Sequence, residues 1–321
     1  MSKHTDYELE DEEMPYRKLK VKRVQSSQQK PVKKESYESN VDVQRWLQSQ
    51  SLKEDELSKA QFNPTFLAGK RDASWILSSL TDFYEQALIT DVLHVVKSGK
   101  EATVYCCTAD PTTGLEYAAA KIYRPRMFRS LKNDAIYREG RTQRDVDGKV
   151  THNSRHQRDA FRSEKGRAAQ VASWIDYEFQ THTLLYTIGV DVPRPLAHVG
   201  NALLMEYIGD VGEPAPLLRE VILAQEEAQL LFQSVLRNIE LCLTHNRVHG
   251  DLSEYNILYW KGTAWLIDFA QAVDPRQNTN VFPLFVRDIE RVYRYFARYG
   301  VVADTYTLAA DMWRRYEGGV L

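Results

Sequence analysis

The chain lacks the sequence features that identify several common classes of protein. It contains only three cysteines, Cys106, Cys107 and Cys242, and their spacing is not that of a metal site. We therefore expect reduced thiols in the core of a cytoplasmic protein. No uninterrupted apolar run approaches the roughly 18 residues that a membrane span requires. The first residues, MSKHTDYELEDEE, contain no apolar signal-peptide core, so we expect no membrane partner.

Charge is nearly balanced over the whole chain but not along it. The 321 residues carry a net charge of −2, with a sequence pI of about 6.5. Acidic residues dominate the first dozen positions, and lysines follow at about 18–34. Residues 1–60 are also too polar to bury enough apolar surface to offset the entropy of ordering. We predict a charged, disordered N-terminal arm. Its lysine-rich part could contact RNA or another anionic surface, or the whole arm could be a solvated tail.

The remaining sequence predicts a β-rich part followed by an α-rich part. Hydrophobic residues at 43% and charged residues at 27% are ordinary for a globular protein, and the length allows one bilobal domain. Short apolar runs rich in Val, Ala and Tyr predict strands at 92–110, 115–123 and 192–208. Helical periodicity predicts helices at 74–92, 172–190, 217–246, 285–300 and 304–319. We expect an α+β fold with a small β-rich N-lobe at 61–205 and an α-rich C-lobe at 206–321.

The stretch HGDLSEYN at 249–256 has the spacing H-x-D-x-x-x-x-N of a kinase catalytic loop. In this interpretation Asp251 orients the acceptor hydroxyl or accepts its proton, and Asn256 offers a side-chain oxygen to Mg²⁺. Asp268 ends the apolar run AWLI, so a strand would bring its carboxylate to the other side of the same ion. Taken singly, Asp251 could be a helix N-cap and Asn256 a turn residue. The complete set of polar positions favours phosphoryl transfer.

A cation for the phosphate groups is expected upstream of this loop. Lys121 lies in AAAKIY, which matches the V-A-I-K pattern of a kinase strand. A buried ammonium group needs an anionic partner, because an unpaired charge is costly away from water. Glu178, on the predicted helix WIDYEFQTHTLL, is the preferred partner, and Asp176 with its shorter side chain is the alternative. Either charge could instead be solvated at the surface, but the downstream motif favours the pair.

Two usual parts of a protein kinase are missing from the sequence. There is no G-x-G-x-x-G, and the corresponding stretch reads KSGKEA at 97–102. Gly99 can still bring backbone amides close to phosphate, and Ser98 can donate a hydroxyl hydrogen bond. Phe-Ala-Gln follows Asp268 where kinases have Phe-Gly, and no A-P-E follows. The segment that usually positions a peptide acceptor is therefore absent or greatly shortened.

In combination, the motifs SGKEATVY, AAKIY, YEF, LLMEYIG, HGDLSEYNILY and LIDFAQAVD resemble those of the RIO family of atypical protein kinases over roughly residues 74–300. The alanine after SGKE is closer to the first RIO subfamily than to the second. The resemblance implies a bilobal protein-kinase-like fold with an extra N-terminal helix and a reduced C-lobe. It implies ATP and Mg²⁺ as cofactors, with Mn²⁺ as an alternative ion, and phosphorylation of Ser or Thr in a protein acceptor or in the chain itself. The resemblance also assigns a phosphate-covering loop to Ser98, Gly99, Lys100 and Glu101. It assigns an adenine-binding hinge to Met205, Glu206 and Ile208.

The resemblance leaves the acceptor and the cellular role open. Family members behave as ATPase switches, their catalytic aspartate (here Asp251) can become phosphorylated, and they attach to precursors of the small ribosomal subunit. The charged segment at about 127–170 corresponds to the flexible loop of the family, and its arginines either bind RNA phosphates or are solvated. One alternative is therefore a nucleotide-switched ribosome-assembly factor with little protein-kinase activity. Another is a small-molecule phosphotransferase, which shares the H-x-D-x-x-x-x-N pattern but which the SGKEA loop disfavours.

Overall fold

The computed structural model describes residues 62–67, 73–99, 102–123, 143–144, 150–151, 164–278 and 280–321. The predicted arm at 1–60, most of the predicted loop at 127–170, and both Lys100 and Glu101 lie outside the described residues. The structure therefore leaves the disorder of the arm, the RNA contacts of both segments and the phosphate-covering role of Lys100 and Glu101 as predictions.

Five antiparallel strands form the sheet of the first half of the chain. Helix α1 (Ala73–Glu85) precedes strands β1 (Ile89–Ser98), β2 (Ala102–Ala109) and β3 (Tyr117–Tyr123). Helix α2 (Glu164–Thr187) follows, and then β4 (Pro195–Val199) and β5 (Ala202–Glu206) complete the order β1-β2-β3-β5-β4. Every neighbouring pair in this sheet is antiparallel.

Helix α1 packs its apolar face on this sheet. Ile76, Leu80 and Phe83 recur at a spacing of three to four residues, which places them on one side of the helix. Leu80 and Phe83 are fully buried in the same cluster as Ile89. The helix ends at Glu85, before the predicted end near residue 92, because Ala87 turns the chain at a φ of 53° and β1 begins two residues later.

Helices dominate the second half of the chain. Helix α3 (Gln225–Thr244) is followed by the hairpin of β6 (Ile257–Trp260) and β7 (Thr263–Leu266), and then by α4 (Val281–Phe296) and α5 (Thr305–Glu317). A large apolar core joins these elements, and its fully buried members include Val235, Ile257, Phe285, Ile289 and Phe296. Two-residue strand pairs join Gln143–Arg144 to Val150–Thr151 and Gly209–Asp210 to Glu213–Pro214.

The predicted α+β class and kinase-like bilobal organisation are confirmed, whereas the predicted starts of α2 and α3 also change. Helix α3 begins at Gln225 and not at 217, because residues 218–220 form a separate 3-10 turn whose preceding residue, Leu217, is extended and pairs with Leu258 of β6. Helix α2 begins at Glu164, inside the segment predicted as a loop. The three cysteines are free and buried, as expected. In the described part of the chain, no helix has both the length and the apolar character needed to cross a membrane.

Candidate active site

A cavity of about 630 Å³ lies between the sheet and the second half of the chain. Its walls are mainly apolar, and several of them are small side chains on the sheet that leave room for a ligand. The apolar lining includes Ala102, Val104, Ala119, Met205, Leu258 and Ile267. The charged and amide groups in the lining include Lys97, Lys121, Glu178, Glu206, Glu220, Asn256 and Asp268. An apolar cleft with a few convergent polar groups is the usual form of a small-molecule site.

Lys121 joins carboxylates from two distant parts of the chain. Its Nζ lies 2.9 Å from Glu178 Oε1 on α2 and 3.0 Å from Asp268 Oδ1 after β7. Lys121 and Tyr123 are two residues apart on β3, so they lie on the same face of the sheet. The Tyr123 hydroxyl donates a hydrogen bond to the other oxygen of Glu178, Oε2. Glu178 thus has hydrogen-bond donors at both oxygens, which compensates for its burial.

Burial and charge act in opposite directions on the pKa values of these three groups. Burial alone would lower the pKa of Lys121, but the charges of Asp268 and Glu178 outweigh it and raise the pKa above its ordinary value. Burial raises the pKa of Glu178, whose side chain is 4% exposed, against the opposing effect of Lys121. Desolvation in the cavity would raise the pKa of Asp268, but Lys121 outweighs it and lowers the pKa. Asp268 keeps 45% of its side-chain surface exposed, as expected of a carboxylate that faces an open cavity.

The predicted partner of Lys121 is found, and the alternative is not. Asp176 lies two residues before Glu178 on α2, which places it about 200° around the helix on another face. There its carboxylate accepts a hydrogen bond from Gln180 Nε2 at 2.8 Å and lies 3.5 Å from His198 Nε2. Only the longer side chain of Glu178 therefore points towards Lys121.

Asn256 and Asp268 approach the same end of the cavity from the two strands of one hairpin. Ile267 N donates to Asn256 O at 3.0 Å, so the residues that precede β6 and follow β7 are neighbours. Asn256 Nδ2 donates to Asp251 O at 2.9 Å, and among the described residues the side-chain oxygen of Asn256 has no donor, so it can serve as an acceptor. Asp268 has a φ of 69°, in the left-handed region, which aspartate tolerates better than most residues.

His249 connects the two predicted motifs. Its ring is buried, and Nε2 lies 3.1 Å from Ile267 O, which can only accept, so Nε2 must carry the proton. Burial lowers the pKa of His249, so the ring is neutral at pH 7. This histidine therefore fixes the backbone next to Asp268 and has no ionised role.

Helix α4 holds the backbone on both sides of Asp251. The buried carboxylate of Asp288 accepts from Gly250 N at 2.7 Å and from Leu252 N at 3.1 Å. Burial raises the pKa of Asp288 to about 7, although these two N–H groups act against the shift. Arg287 donates to Gly250 O from the same helix. Asp251 is not among the residues that line the cavity, but its backbone oxygen accepts a hydrogen bond from Asn256, which is, and its side chain is 49% exposed.

The predicted hinge and the predicted phosphate loop lie on different strands of the sheet. The cavity is lined by Met205, Glu206 and Ile208. Met205, on β5, pairs with Ala119 of β3. Gly99 also lines the cavity, and its N donates to Ala102 O at 2.9 Å. Ser98 ends β1 with an exposed side chain and is not among the lining residues. The binding roles of all these residues stay predictions.

Several residues of the site were not predicted. Trp174, one turn before Glu178 on α2, donates from its indole N–H to Ala270 O at 3.1 Å, which ties α2 to the loop after Asp268. Its ring and the ring of Tyr123 are packed edge to face. The aromatic residue beside YEF and the tyrosine of AAKIY are visible signals in the sequence, but their spacing alone does not indicate which groups they bind.

Comparison with known proteins places the chain among proteins that contain a RIO domain. A family model described as RIO domain matches residues 104–308. The chain is 28% identical over 207 residues to serine/threonine-protein kinase RIO1 of Caenorhabditis elegans, covering 64% of this chain and 37% of that protein. It is 32% identical over 134 residues to RIO-type serine/threonine-protein kinase Rio1 of Thermoplasma acidophilum, covering 42% of this chain and 69% of that protein.

One solved structure and the lengths of the relatives complete the comparison. The structure of the Cydia pomonella granulovirus kinase PK-1 matches with a TM-score of 0.36 and 16% identity, over 60% of this chain and 58% of that chain. The chain spans about a third of the length of the first curated relatives it matches, which are eukaryotic. The RIO1 names of the two relatives above are consistent with the first-subfamily character of the SGKEA loop. Since the RIO-domain model covers well over half of the sequence, the chain belongs to the RIO family.

Proposed function

We propose that the chain is an ATP-dependent RIO-type serine/threonine protein kinase, which transfers the γ-phosphoryl group to a protein acceptor or to itself. The observation that carries this proposal is the position of Lys121, 2.9 Å from Glu178 and 3.0 Å from Asp268 at one end of a cavity large enough for a nucleotide. Phosphoryl transfer depends on such a fixed cation together with a carboxylate that can hold a metal ion. The kinase names of the relatives support the same activity.

The residues at this end of the cavity fit ATP and a divalent ion. Asn256 has a side-chain oxygen and Asp268 a half-exposed carboxylate, and hard oxygen ligands of this kind suit Mg²⁺, with Mn²⁺ as an alternative. The metal ion, when bound, supplies positive charge that offsets the charge of the phosphate oxygens. Lys121 adds a second positive charge, and its ion pair with Glu178 holds it in place.

The chain's own residues account for the remaining steps of the reaction. In the transfer, the bond between the γ-phosphorus and its bridging oxygen breaks, and a bond from phosphorus to the acceptor hydroxyl oxygen forms. Asp251 orients that hydroxyl and takes its proton, and ADP leaves. Asp288 and His249 hold the backbone segments that carry Asp251 and Asp268, so neither segment has to be ordered during the reaction.

The partners and location follow from the same proposal. The acceptor is a Ser or Thr of a protein or of this chain, and the setting is cytoplasmic, as the free, buried cysteines suggest. Contact with a ribosomal particle or RNA would use the predicted arm, which lies outside the described residues, and the arginine-rich loop, most of which also does. A nucleotide-switched assembly role therefore rests on the sequence alone.

Transfer of radiolabel from γ-labelled ATP tests the proposal. We expect label on the chain or on an added protein acceptor in the presence of Mg²⁺, and no label with Asp268→Ala. Glu290→Ala, which removes an exposed carboxylate on α4, is the matched control and should label like the wild type. Label that persists in Asp268→Ala would remove the metal-site assignment. Multiple-turnover ATP hydrolysis without any labelled protein would instead favour the assembly-factor alternative.

A further inference from the structure

Arg291 of α4 forms an ion pair with the proposed acceptor-side carboxylate. Its Nη1 lies 2.7 Å from Asp251 Oδ1, and the two side chains are 35% and 49% exposed. In the part of the chain that the structure describes, this is the one ion pair of Asp251. The sequence pattern of a kinase catalytic loop does not include this arginine, which lies 40 residues downstream.

From these contacts we infer that Arg291 is a positioning residue for Asp251. The inference rests on the proposed function, because it gives Arg291 a role only if Asp251 acts on an acceptor. By binding Oδ1, the guanidinium selects one orientation of the carboxylate and leaves Oδ2 to face the acceptor hydroxyl.

The neighbouring contacts of α4 show why the pair is ordered before an acceptor arrives. Arg291 is four residues from Arg287 and three from Asp288 on the helix, and all three side chains contact the same loop. Asp288 and Arg287 bind the backbone of Gly250. The helix that fixes the backbone next to Asp251 therefore also fixes its side chain, and little freedom remains to be lost in the reaction.

A contribution to folding alone does not explain this geometry. An ion pair between groups that are one-third to one-half exposed contributes little to stability, because water screens it. The same contact has a large effect on the orientation of a single carboxylate, since one of its two oxygens is occupied. Arg291 should therefore affect turnover far more than unfolding.

A double-mutant cycle tests the assignment by measuring phosphoryl transfer in Arg291→Ala, Asp251→Asn and the double variant. Loss of a general base typically lowers the rate by about 10²–10⁴, and Arg291→Ala should lower kcat by about tenfold, without changing the KM for ATP. In the Asp251→Asn background the second substitution should have no further effect, because the group on which Arg291 acts is already changed. Arg291→Lys should recover part of the lost kcat, since it restores the charge but not the planar guanidinium geometry.

Arg294→Ala is the matched control, because it removes an exposed arginine from the same helix. It should leave kcat unchanged, and thermal unfolding of all variants should stay close to that of the wild type. An unchanged or increased kcat in Arg291→Ala would overturn the assignment. It would also be overturned if Arg291→Ala lowered kcat as much in the Asp251→Asn background as in the wild type. Such a result would indicate that Arg291 contacts the acceptor or the phosphate independently of Asp251. An active wild type with an unaffected Arg291→Ala removes only this inference, whereas a wild type that transfers no phosphoryl group removes the proposed function and this inference with it.

Discussion

Replacing Lys121 by Met should destabilise the folded chain mainly through the carboxylate that it leaves behind. Glu178 is 4% exposed and would lose its ammonium partner, while its bond from the Tyr123 hydroxyl remains. Breaking a buried ion pair from one side typically costs about 3–5 kcal/mol. Asp268 adds little, because its exposed side chain can be solvated from the cavity.

Protonation of Glu178 sets an upper limit on this cost. The ordinary pKa of the group is 4.5, and each pH unit corresponds to about 1.36 kcal/mol, so protonating Glu178 at pH 7 costs about 3.4 kcal/mol. At pH 5.5 the same limit is about 1.4 kcal/mol. In the variant, the pKa of buried Glu178 is higher in the folded state than in the unfolded state. The folded variant is therefore most stable at a pH below the unfolded-state pKa of Glu178, and it loses stability as the pH rises. The variant should thus be closest to the wild type in acid.

Urea and thermal unfolding of the variant at pH 7 and pH 5.5 provide the assay. We expect a loss of about 2–3 kcal/mol at pH 7, which is a fall in Tm of about 5–10 °C for a domain of this size. The double variant Lys121→Met with Glu178→Gln should regain most of the loss, because a neutral amide needs no protonation. A loss below about 0.5 kcal/mol at pH 7, a loss that does not depend on pH, or a double variant no more stable than the single one would refute this reasoning.

Three further substitutions test other parts of the structure. Asp288→Asn should lower kcat by about tenfold or more with little change in ATP affinity. The reason is that the single oxygen of an amide cannot accept from both backbone N–H groups that the two carboxylate oxygens bind. Steady-state kinetics measure this, and an unchanged kcat would contradict it. Burial lowers the pKa of His182 to about 4. The wild type should therefore lose up to about 3 kcal/mol of unfolding free energy as the pH falls from 6.5 to 4. Urea unfolding at stepped pH should show that the unfolding free energy of His182→Gln depends less on pH. Trp174→Phe keeps an aromatic ring but removes the indole N–H that binds Ala270 O. Titration with Mg²⁺ at fixed nucleotide should show that the variant binds Mg²⁺ severalfold more weakly. A titration curve identical to that of the wild type would exclude a role of this hydrogen bond in metal binding.

Local spacing explains why part of the site could be predicted from the sequence. Asp251 and Asn256 belong to one loop, and the contact between them is a short-range consequence of that loop. Lys121 could be predicted because AAAKIY matches the V-A-I-K pattern of a kinase strand, and the structure places it on a strand. The choice of Glu178 over Asp176 followed from side-chain length, and the structure gives a further reason, since the two lie on different faces of α2.

The residues that the sequence did not indicate act over long separations. Asp288 and Arg291 lie on a helix whose apolar periodicity predicts its buried face but not the loop that its polar residues contact. Trp174 reaches Ala270 across 96 residues. The start of α3 was misplaced for a related reason, because the pairing of Leu217 with Leu258 competes with the local helical pattern. Tertiary contacts of this kind leave no mark on the spacing of a single sequence.

The nucleotide affinity of the chain with and without Mg²⁺ tests the central claim most directly, because that claim places Lys121, Asn256 and Asp268 around one nucleotide–metal site. Equilibrium titration should show that the wild type and Glu290→Ala bind ATP at least about tenfold more tightly with Mg²⁺ than without it, whereas Asp268→Ala should bind ATP equally in both conditions. A full Mg²⁺ dependence in Asp268→Ala, or a wild type that binds no nucleotide, would contradict the account.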